Sequence, residues 1–429
     1  MGGHMRTIWE REKLSFGFVS TRFAGTDGVS LEAKKWAELM EHRGCEVYFM
    51  AGKLDTPPDA SHLVETAFFH HPDIVEIQRA LFERNERTPS ISRRIQELKE
   101  DLKSGLEEFR DRFQFDILVV ENALAIPVNI PLGLALTEFI SESGLPTIAH
   151  HHDFYWERQR FNRAAAMDYL RQAFPPVHPN IQHVVINSLA GHDLAMRTGA
   201  SWTLIPNILD FKYSPGDMDE YTSDFRREID LDEDSLLILQ PTRVVSRKGI
   251  ETAIELVRRL DHPKSSLVIT HDAGDEGLTY LRRIEEYAAF MEVDLRIVSD
   301  RVAEQRGVND DGKKTYTLWD IYPHANLVTF PSTYEGYGNA FVEAIYFRRP
   351  IVVNRYSIFE ADIEPKGFDV IAFDQFITED TLDDVRRIIS DPGRLEEMAE
   401  KNYMLGWRYL SYEMLQERLE SILVEIYGS

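Results

Sequence analysis

The chain has 429 residues and a formal net charge of −24, with 43% hydrophobic and 28% charged residues. That length exceeds one ordinary core, so two domains are expected, and no apolar run approaches the ~18–20 residues that span a bilayer. So negative a field repels phosphate backbones and anionic headgroups, which sets nucleic acid and membrane surfaces aside as partners.

An anionic substrate would then need local clusters of Arg, Lys or helix N-termini. The opening Met1-Gly2-Gly3-His4-Met5 reads as an expression-tag remnant, with the native start expected at Met5. Cys45 is the only cysteine, which fits a reducing cytoplasm and a buried strand position better than a catalytic thiol.

The elements follow in chain order. Residues Leu14 to Ser20 read as a strand that runs into the turn Gly25-Thr26-Asp27-Gly28. A helix is expected from Ser30 to about Arg43, stopped by Gly44, and a strand from Glu46 to Met50. This is the opening of a doubly wound α/β domain. Charge-rich residues Glu86 to Arg112 predict a solvated surface helix or pair. Further strands are expected at Phe115–Val120, Thr147–His150 and His183–Ile186.

Residues Trp202 to Asn207 close the first half, and the acidic stretch Ser214 to Glu233 reads as an interdomain linker. The second half predicts strands at Leu236–Leu239, Ser266–Thr270, Asp294–Val298, Leu327–Phe330 and Ile351–Val353. Helices are expected at Ile250–Leu260, Leu278–Met291 and Ala340–Phe347, with one helical segment at the end, Leu405 to Tyr427. The domains are drawn at residues 5–207 and 208–404, followed by a helical segment at 405–429.

Chemistry concentrates at strand ends. After Leu327–Phe330 comes Pro331-Ser332-Thr333-Tyr334-Glu335-Gly336-Tyr337-Gly338-Asn339-Ala340-Phe341-Val342-Glu343. A strand, a turn with two glycines and a helix start make an anion site of free N–H groups. Gly338, Asn339 and Ala340 are the residues placed at that anion. Glu335 and Glu343 flank it and suit the hydroxyls of a sugar and of a ribose. After Leu236–Leu239, the loop holding Arg243 and Lys248 is spaced to clamp a diphosphate without a metal. Arg247 in that loop is read as a solvated cation.

In the first half, His150-His151-His152-Asp153 ends a strand. Neighbouring strand residues point to opposite faces, so three adjacent histidines cannot serve one metal, and no metal site is assigned. His150 and His152 share a face and are the candidates for hydrogen bonding to sugar hydroxyls, with Asp153 placed to orient one of them. Gly25 could meet a diphosphate. Arg22, Gly28, His151, Asp153, Arg158 and Arg163 form a local group suited to an anionic acceptor.

A proline-serine strand end followed by Glu335, seven residues, Glu343 and Ala344 resembles the signature of retaining glycosyltransferases of family 4. The segment Ile205-Pro206-Asn207 to Asp210 is similar to that family's interdomain hinge. The resemblance implies α/β GT-B architecture, with two Rossmann-like domains facing a central cleft and a C-terminal helix returning to the first domain. It also implies that Glu335 contacts the donor sugar, Glu343 the nucleotide ribose, and Arg243 with Lys248 the departing diphosphate. A strand-end histidine, His150 or His152, would lie near the anomeric centre.

More narrowly, Thr21–Glu32, Asn122–Leu134 and His150–Phe161 are similar to bacterial enzymes making mannosylglucosylglycerate-type compatible solutes. GDP-mannose and glucosylglycerate or its phosphate are the implied substrates. The nucleoside-diphosphate sugar is substrate rather than bound cofactor, and a divalent cation is at most stimulatory. A homodimer is allowed for. A UDP-glucose-dependent transferase acting on another glycan, and a non-catalytic nucleotide-sugar binder, remain alternatives.

Overall fold

The computed structural model describes residues 14–25, 27–216, 218–273 and 278–428. The tag-like start and the proposed first residue, Met5, lie outside these, as does Thr26 of the glycine turn. The chain divides into two compact units, Met1–Pro206 with Leu415–Ser429, and Asn207–Met414.

The first unit is built on β1 (Ser15–Val19), α1 (Gly28–His42), β2 (Glu46–Ala51), β3 (Ser61–Leu63), α2 (Pro89–Phe113), β4 (Ile117–Glu121), α3 (Ile130–Ser143), β5 (Thr147–His151), β6 (Ile181–Val185) and β7 (Trp202–Leu204). The strands form a seven-stranded sheet in the order β3-β2-β1-β4-β5-β6-β7, and every neighbouring pair is parallel. Parallel strands are covered on both faces, which is why β1, β4 and β5 are buried at every position. The order reverses between β1 and β4, and that switch point opens a crevice beyond the strands' C-terminal ends.

Local chemistry sets the helices. Asp27 caps α1 by accepting from the Ser30 N–H. Pro89 opens α2 behind the Thr88 cap. The charge-rich stretch is one amphipathic helix of 25 residues that buries Ile95, Leu98, Leu102, Leu106 and Phe109. It packs along α3, with Lys99 on Glu138 and Lys103 on Glu142 at the rim. Cys45 is buried just before β2, and burial pushes its thiol up to about 11, the state of an unreactive thiol.

The second unit contains β8 (Leu236–Gln240), α4 (Ile250–Leu260), β9 (Ser265–Ile269), α5 (Leu278–Phe290), β10 (Asp294–Ile297), β11 (Leu327–Phe330), α6 (Asn339–Tyr346), β12 (Ile351–Asn354), β13 (Ile371–Phe373), α7 (Glu379–Ser390), α8 (Pro392–Leu410) and the first residues of α9 (Tyr412–Tyr427). Its six-stranded sheet runs β10-β9-β8-β11-β12-β13, again parallel throughout. The switch point falls between β8 and β11.

Two expectations change. The acidic stretch before β8 is not a free linker, because Phe225 is fully buried and the Arg226 guanidinium donates to the Ser235 and His324 carbonyls at 2.8 Å each. Its high charge hid these anchors. The final segment is two helices rather than one, broken at fully buried Ser411. The Ser411 hydroxyl accepts from the Met414 N–H at 3.2 Å, starting α9 afresh. From Leu415 onward α9 groups with the first unit, where Arg43 at the end of α1 bonds Gln416.

One backbone approach in the first unit is tight enough to test. A Cβ on Gly52 would lie 1.9 Å from the backbone nitrogen of Phe68. Gly52→Ala is therefore expected to cost about 1–3 kcal/mol through overpacking, read as a lower urea midpoint. An unchanged midpoint would contradict this packing.

Candidate functional site

In the second unit two loops leave the sheet at its switch point and are knitted together. Gly249 has φ 63°, and a Cβ there would sit 2.3 Å from the Pro331 carbonyl oxygen, so the loop after β8 lies hard against the loop after β11. Across that approach the Thr333 N–H donates to the Arg247 carbonyl at 2.9 Å. The Arg247 guanidinium donates in return to the Tyr334 carbonyl at 3.1 Å and to Glu335 Oε2 at 3.0 Å. Lys248 Nζ bonds the other oxygen, Glu335 Oε1.

Glu335 is only 7% exposed. Burial alone would raise its carboxyl, but Lys248 and Arg247 together hold it below the usual range, so it stays ionised. Burial lowers the Lys248 ammonium from its usual value, with Arg247 and Arg243 adding repulsion and Glu335 opposing them. Arg243 is exposed beside them. His271, just past β9, belongs to the same cluster. Burial and the neighbouring Lys248 and Arg243 charges lower it, so its imidazole is held neutral.

The turn from β11 into α6 is just as constrained. Gly338 has φ 113°, and a Cβ there would come within 2.8 Å of the Tyr356 hydroxyl and 2.9 Å of the Phe330 ring. Only glycine fits, and it gives α6 no side-chain cap, so the amides at Asn339 and Ala340 are the N-terminal groups an anion would meet. The Asn339 side chain accepts from Asn207. Glu343 lies one turn into α6, where the buried Tyr322 hydroxyl donates to its Oε2 at 2.8 Å.

In the first unit the crevice at β1, β4 and β5 holds a second cluster. The register sets Glu121 opposite His150. His150 Nδ1 lies 3.0 and 3.2 Å from the two Glu121 oxygens, and His152 Nε2 lies 3.2 Å from Oε2. The carboxylate thus bridges two imidazoles. Burial alone would raise the Glu121 carboxyl, but the two histidines hold it at about 2. For His152, burial acts to lower its value and is outweighed by Glu121, which raises it above 6.5.

His150 also stacks on Trp36 with ring centroids 4.4 Å apart. Its Nε2 is buried without a hydrogen-bond partner among the described residues. Glu121, His150 and His152 offer one ligand atom each, all within 4.8 Å of one another, a donor set that a divalent cation such as zinc accepts. The same contacts have the lengths of N–H···carboxylate bonds.

The remaining first-unit candidates scatter. His151 faces the opposite side of β5, buried against Phe154, with its Nε2 2.9 Å from His183 Nδ1. Both of these imidazoles are held neutral: burial is the main cause in each, and it brings His183 down to about 4. Asp153 does not orient a histidine. It accepts from Asn122 at 3.1 Å and pairs with Arg158, while Glu121 fills the orienting position. Arg22 pairs with Asp27 at 2.9 Å and lies over the Phe69 ring. The Gly25 N–H donates to Asp55 at 2.9 Å, Gly28 opens α1, and Arg163 donates to the Phe82 carbonyl at 3.1 Å.

Sequence reasoning therefore missed Glu121, Tyr322 and His271 and set Arg247 aside. A single acid closing the apolar run Ile117–Glu121 was the one available signal for the first of these.

Two parallel-sheet units, with an anion-ready helix start and a cationic loop at one switch point, define the GT-B glycosyltransferase class. The chain matches sucrose-phosphate synthase from Thermosynechococcus elongatus with a TM-score of 0.67 and 14% identity, covering 97% of this chain and 100% of that one. A glycosyltransferase from Rickettsia africae matches with a TM-score of 0.68 and 13% identity, over 97% and 100%. At these identities the fold alone is shared.

The mannosylglucosylglycerate synthase of Petrotoga mobilis is 30% identical over 384 residues, 84% of this chain and 86% of that protein. Its counterpart in Thermotoga maritima is 29% identical over 430 residues, 92% of this chain and 96% of that protein. The chain belongs to the mannosylglucosylglycerate synthase family of glycosyltransferases. No family model matches it.

The Glu121 bridge has a pH signature. A raised His152 stabilises the fold at pH below about 6.5 and loses that contribution as pH rises through its folded value. A depressed Glu121 contributes above about 4.5 and loses its contribution as pH falls toward 2. Imidazole 15N NMR is expected to show His152 titrating above 6.5 in the parent chain and below it in Glu121→Gln. The variant should also lose about 1–3 kcal/mol near pH 6 and less at pH 9. A His152 titration unmoved by the substitution would refute the bridge.

Proposed function

We propose that the chain is a retaining hexosyltransferase of the family 4 type. In this reading it moves mannose from GDP-mannose to a small anionic acceptor such as glucosylglycerate or its phosphate. The observation that carries this is the ionised, doubly paired Glu335 beside Lys248, Arg243 and the uncapped start of α6. Such a set recognises sugar hydroxyls and a diphosphate side by side.

The donor assignments follow residue by residue. Glu335 accepts from hydroxyls of the donor sugar, and Glu343, braced by Tyr322, accepts from the ribose. Gly338, Asn339 and Ala340 meet the diphosphate with backbone amides, and Gly25 is a further candidate. As the bond from the anomeric carbon to the phosphate oxygen breaks, negative charge grows on the leaving diphosphate. Arg243 and Lys248 stabilise it. That phosphate oxygen takes the proton of the acceptor hydroxyl, whose oxygen bonds the anomeric carbon on the same face.

On the acceptor side, Arg22, Gly28, Asp153, Arg158 and Arg163 are the proposed contacts. His151 is left out because it is buried on the far face of β5. His150 and His152, held by Glu121, are proposed to meet sugar hydroxyls. A divalent cation would be stimulatory only, and the nucleotide sugar is substrate. Among the described residues no helix is long and apolar enough to cross a membrane, which agrees with small acceptors handled in water.

A thermal-shift screen of GDP, UDP, ADP and their sugars tests the donor, since a ligand that binds only the folded chain raises its melting temperature. GDP and GDP-mannose are expected to give the largest shifts, and a larger response to UDP-glucose would replace the donor. Lys248→Ala and Arg243→Ala are each expected to lower turnover at least ~100-fold through lost leaving-group stabilisation. Near-parent rates in both would refute the clamp. Glu343→Ala should weaken GDP binding about 10-fold by calorimetry, and unchanged affinity would refute its ribose role.

A further inference from the structure

Glu335 has two cationic partners, one on each oxygen: Arg247 on Oε2 and Lys248 on Oε1. The pair is asymmetric in what each cation can do. Lys248 has its side chain 11% exposed and sits on a long flexible stem beside Arg243. Arg247 is fixed at both ends, its carbonyl accepting from Thr333 and its guanidinium spanning Tyr334 and Glu335.

In the reading proposed above, Lys248 must serve the leaving diphosphate. Without a second cation, a carboxylate 7% exposed that gave up Lys248 would face a large desolvation cost. We propose that Arg247 is a positioning residue that keeps the Glu335 carboxylate aimed at the donor sugar while Lys248 is committed to the diphosphate. The inference rests on that donor reading.

The geometry supports a division of labour. Arg247 reaches Glu335 with a planar guanidinium already oriented by the Tyr334 carbonyl, so little side-chain freedom is lost in holding it. Its own backbone carbonyl is the point at which the loop after β11 is tied to the loop after β8. The groups with charge or protons facing Glu335 are Lys248, Arg247, the Ser332 hydroxyl and the Tyr356 hydroxyl. Arg243 and His271 act on Lys248 instead. Within this set Arg247 is the cation whose hold on Glu335 does not compete with diphosphate binding.

The test uses Arg247→Ala and Arg247→Lys in the full chain, with GDP-mannose and glucosylglycerate as substrates. Arg247→Ala is expected to lower kcat about 10-fold or more while GDP affinity by calorimetry stays within about twofold. The acid limb of kcat/KM for the donor should move to higher pH, because Glu335 loses one of the two cations that keep it ionised. Arg247→Lys restores a charge without the Tyr334 bond and should recover most of the acid limb.

An acid limb unchanged in Arg247→Ala, or an Arg247→Lys variant no better than Arg247→Ala, would overturn the assignment. A parent chain that turns over neither GDP-mannose nor UDP-glucose would overturn the donor reading, and with it the commitment of Lys248. The hold of Arg247 is then decided separately by the carboxyl 13C titration of Glu335, identified through Glu335→Gln. An upward move in Arg247→Ala supports the hold, and no move refutes it.

Discussion

A carboxylate taken out of water needs opposite charge close by, and in the second unit that need organises everything around Glu335. The acid lies after β11 and its cations after β8, so the charge pairing is also what ties the two loops at the switch point. Gly249 permits the approach, because any side chain there would strike the Pro331 carbonyl. Gly338 permits the next one, against Tyr356 and Phe330. The uncapped start of α6 and the cationic loop are brought side by side as a consequence.

The first unit solves a similar problem with the opposite chemistry. Glu121 is wholly buried, and its partners are two imidazoles at the end of the next strand rather than a lysine and an arginine. The parallel register of β4 and β5 sets Glu121 against His150, and the period of two brings His152 to the same side. The same period sends His151 across the sheet to its neutral partner His183. Three adjacent histidines thus divide into two that bond Glu121 at the crevice and one packing residue behind them.

Much of this was legible in the sequence, and the exceptions have physical causes. Strands such as Leu236–Gln240 and Leu327–Phe330 are mostly apolar and buried at every position, as a sheet covered on both faces requires. The glycines and acids of the β11–α6 turn stand at a spacing that points to a phosphate and a sugar. Short β3 and β13, three residues each, carry too little pattern to stand out. The break at Ser411 depends on one hydroxyl rather than on a proline or glycine. Arg247 read as a solvated cation because its partner lies 88 positions along the chain. Glu121 and Tyr322 are long-range partners of the same kind, and pairing across a fold leaves no local trace in composition or period.

The central claim is that these paired acids and cations serve hexosyl transfer with retention. Its most direct test is to incubate the chain with GDP-mannose and glucosylglycerate and read the anomeric one-bond C–H coupling of the product by NMR. The account predicts a new mannosyl linkage with the same α configuration as the donor. A β-linked product, or a donor left intact beside the acceptor, would contradict it.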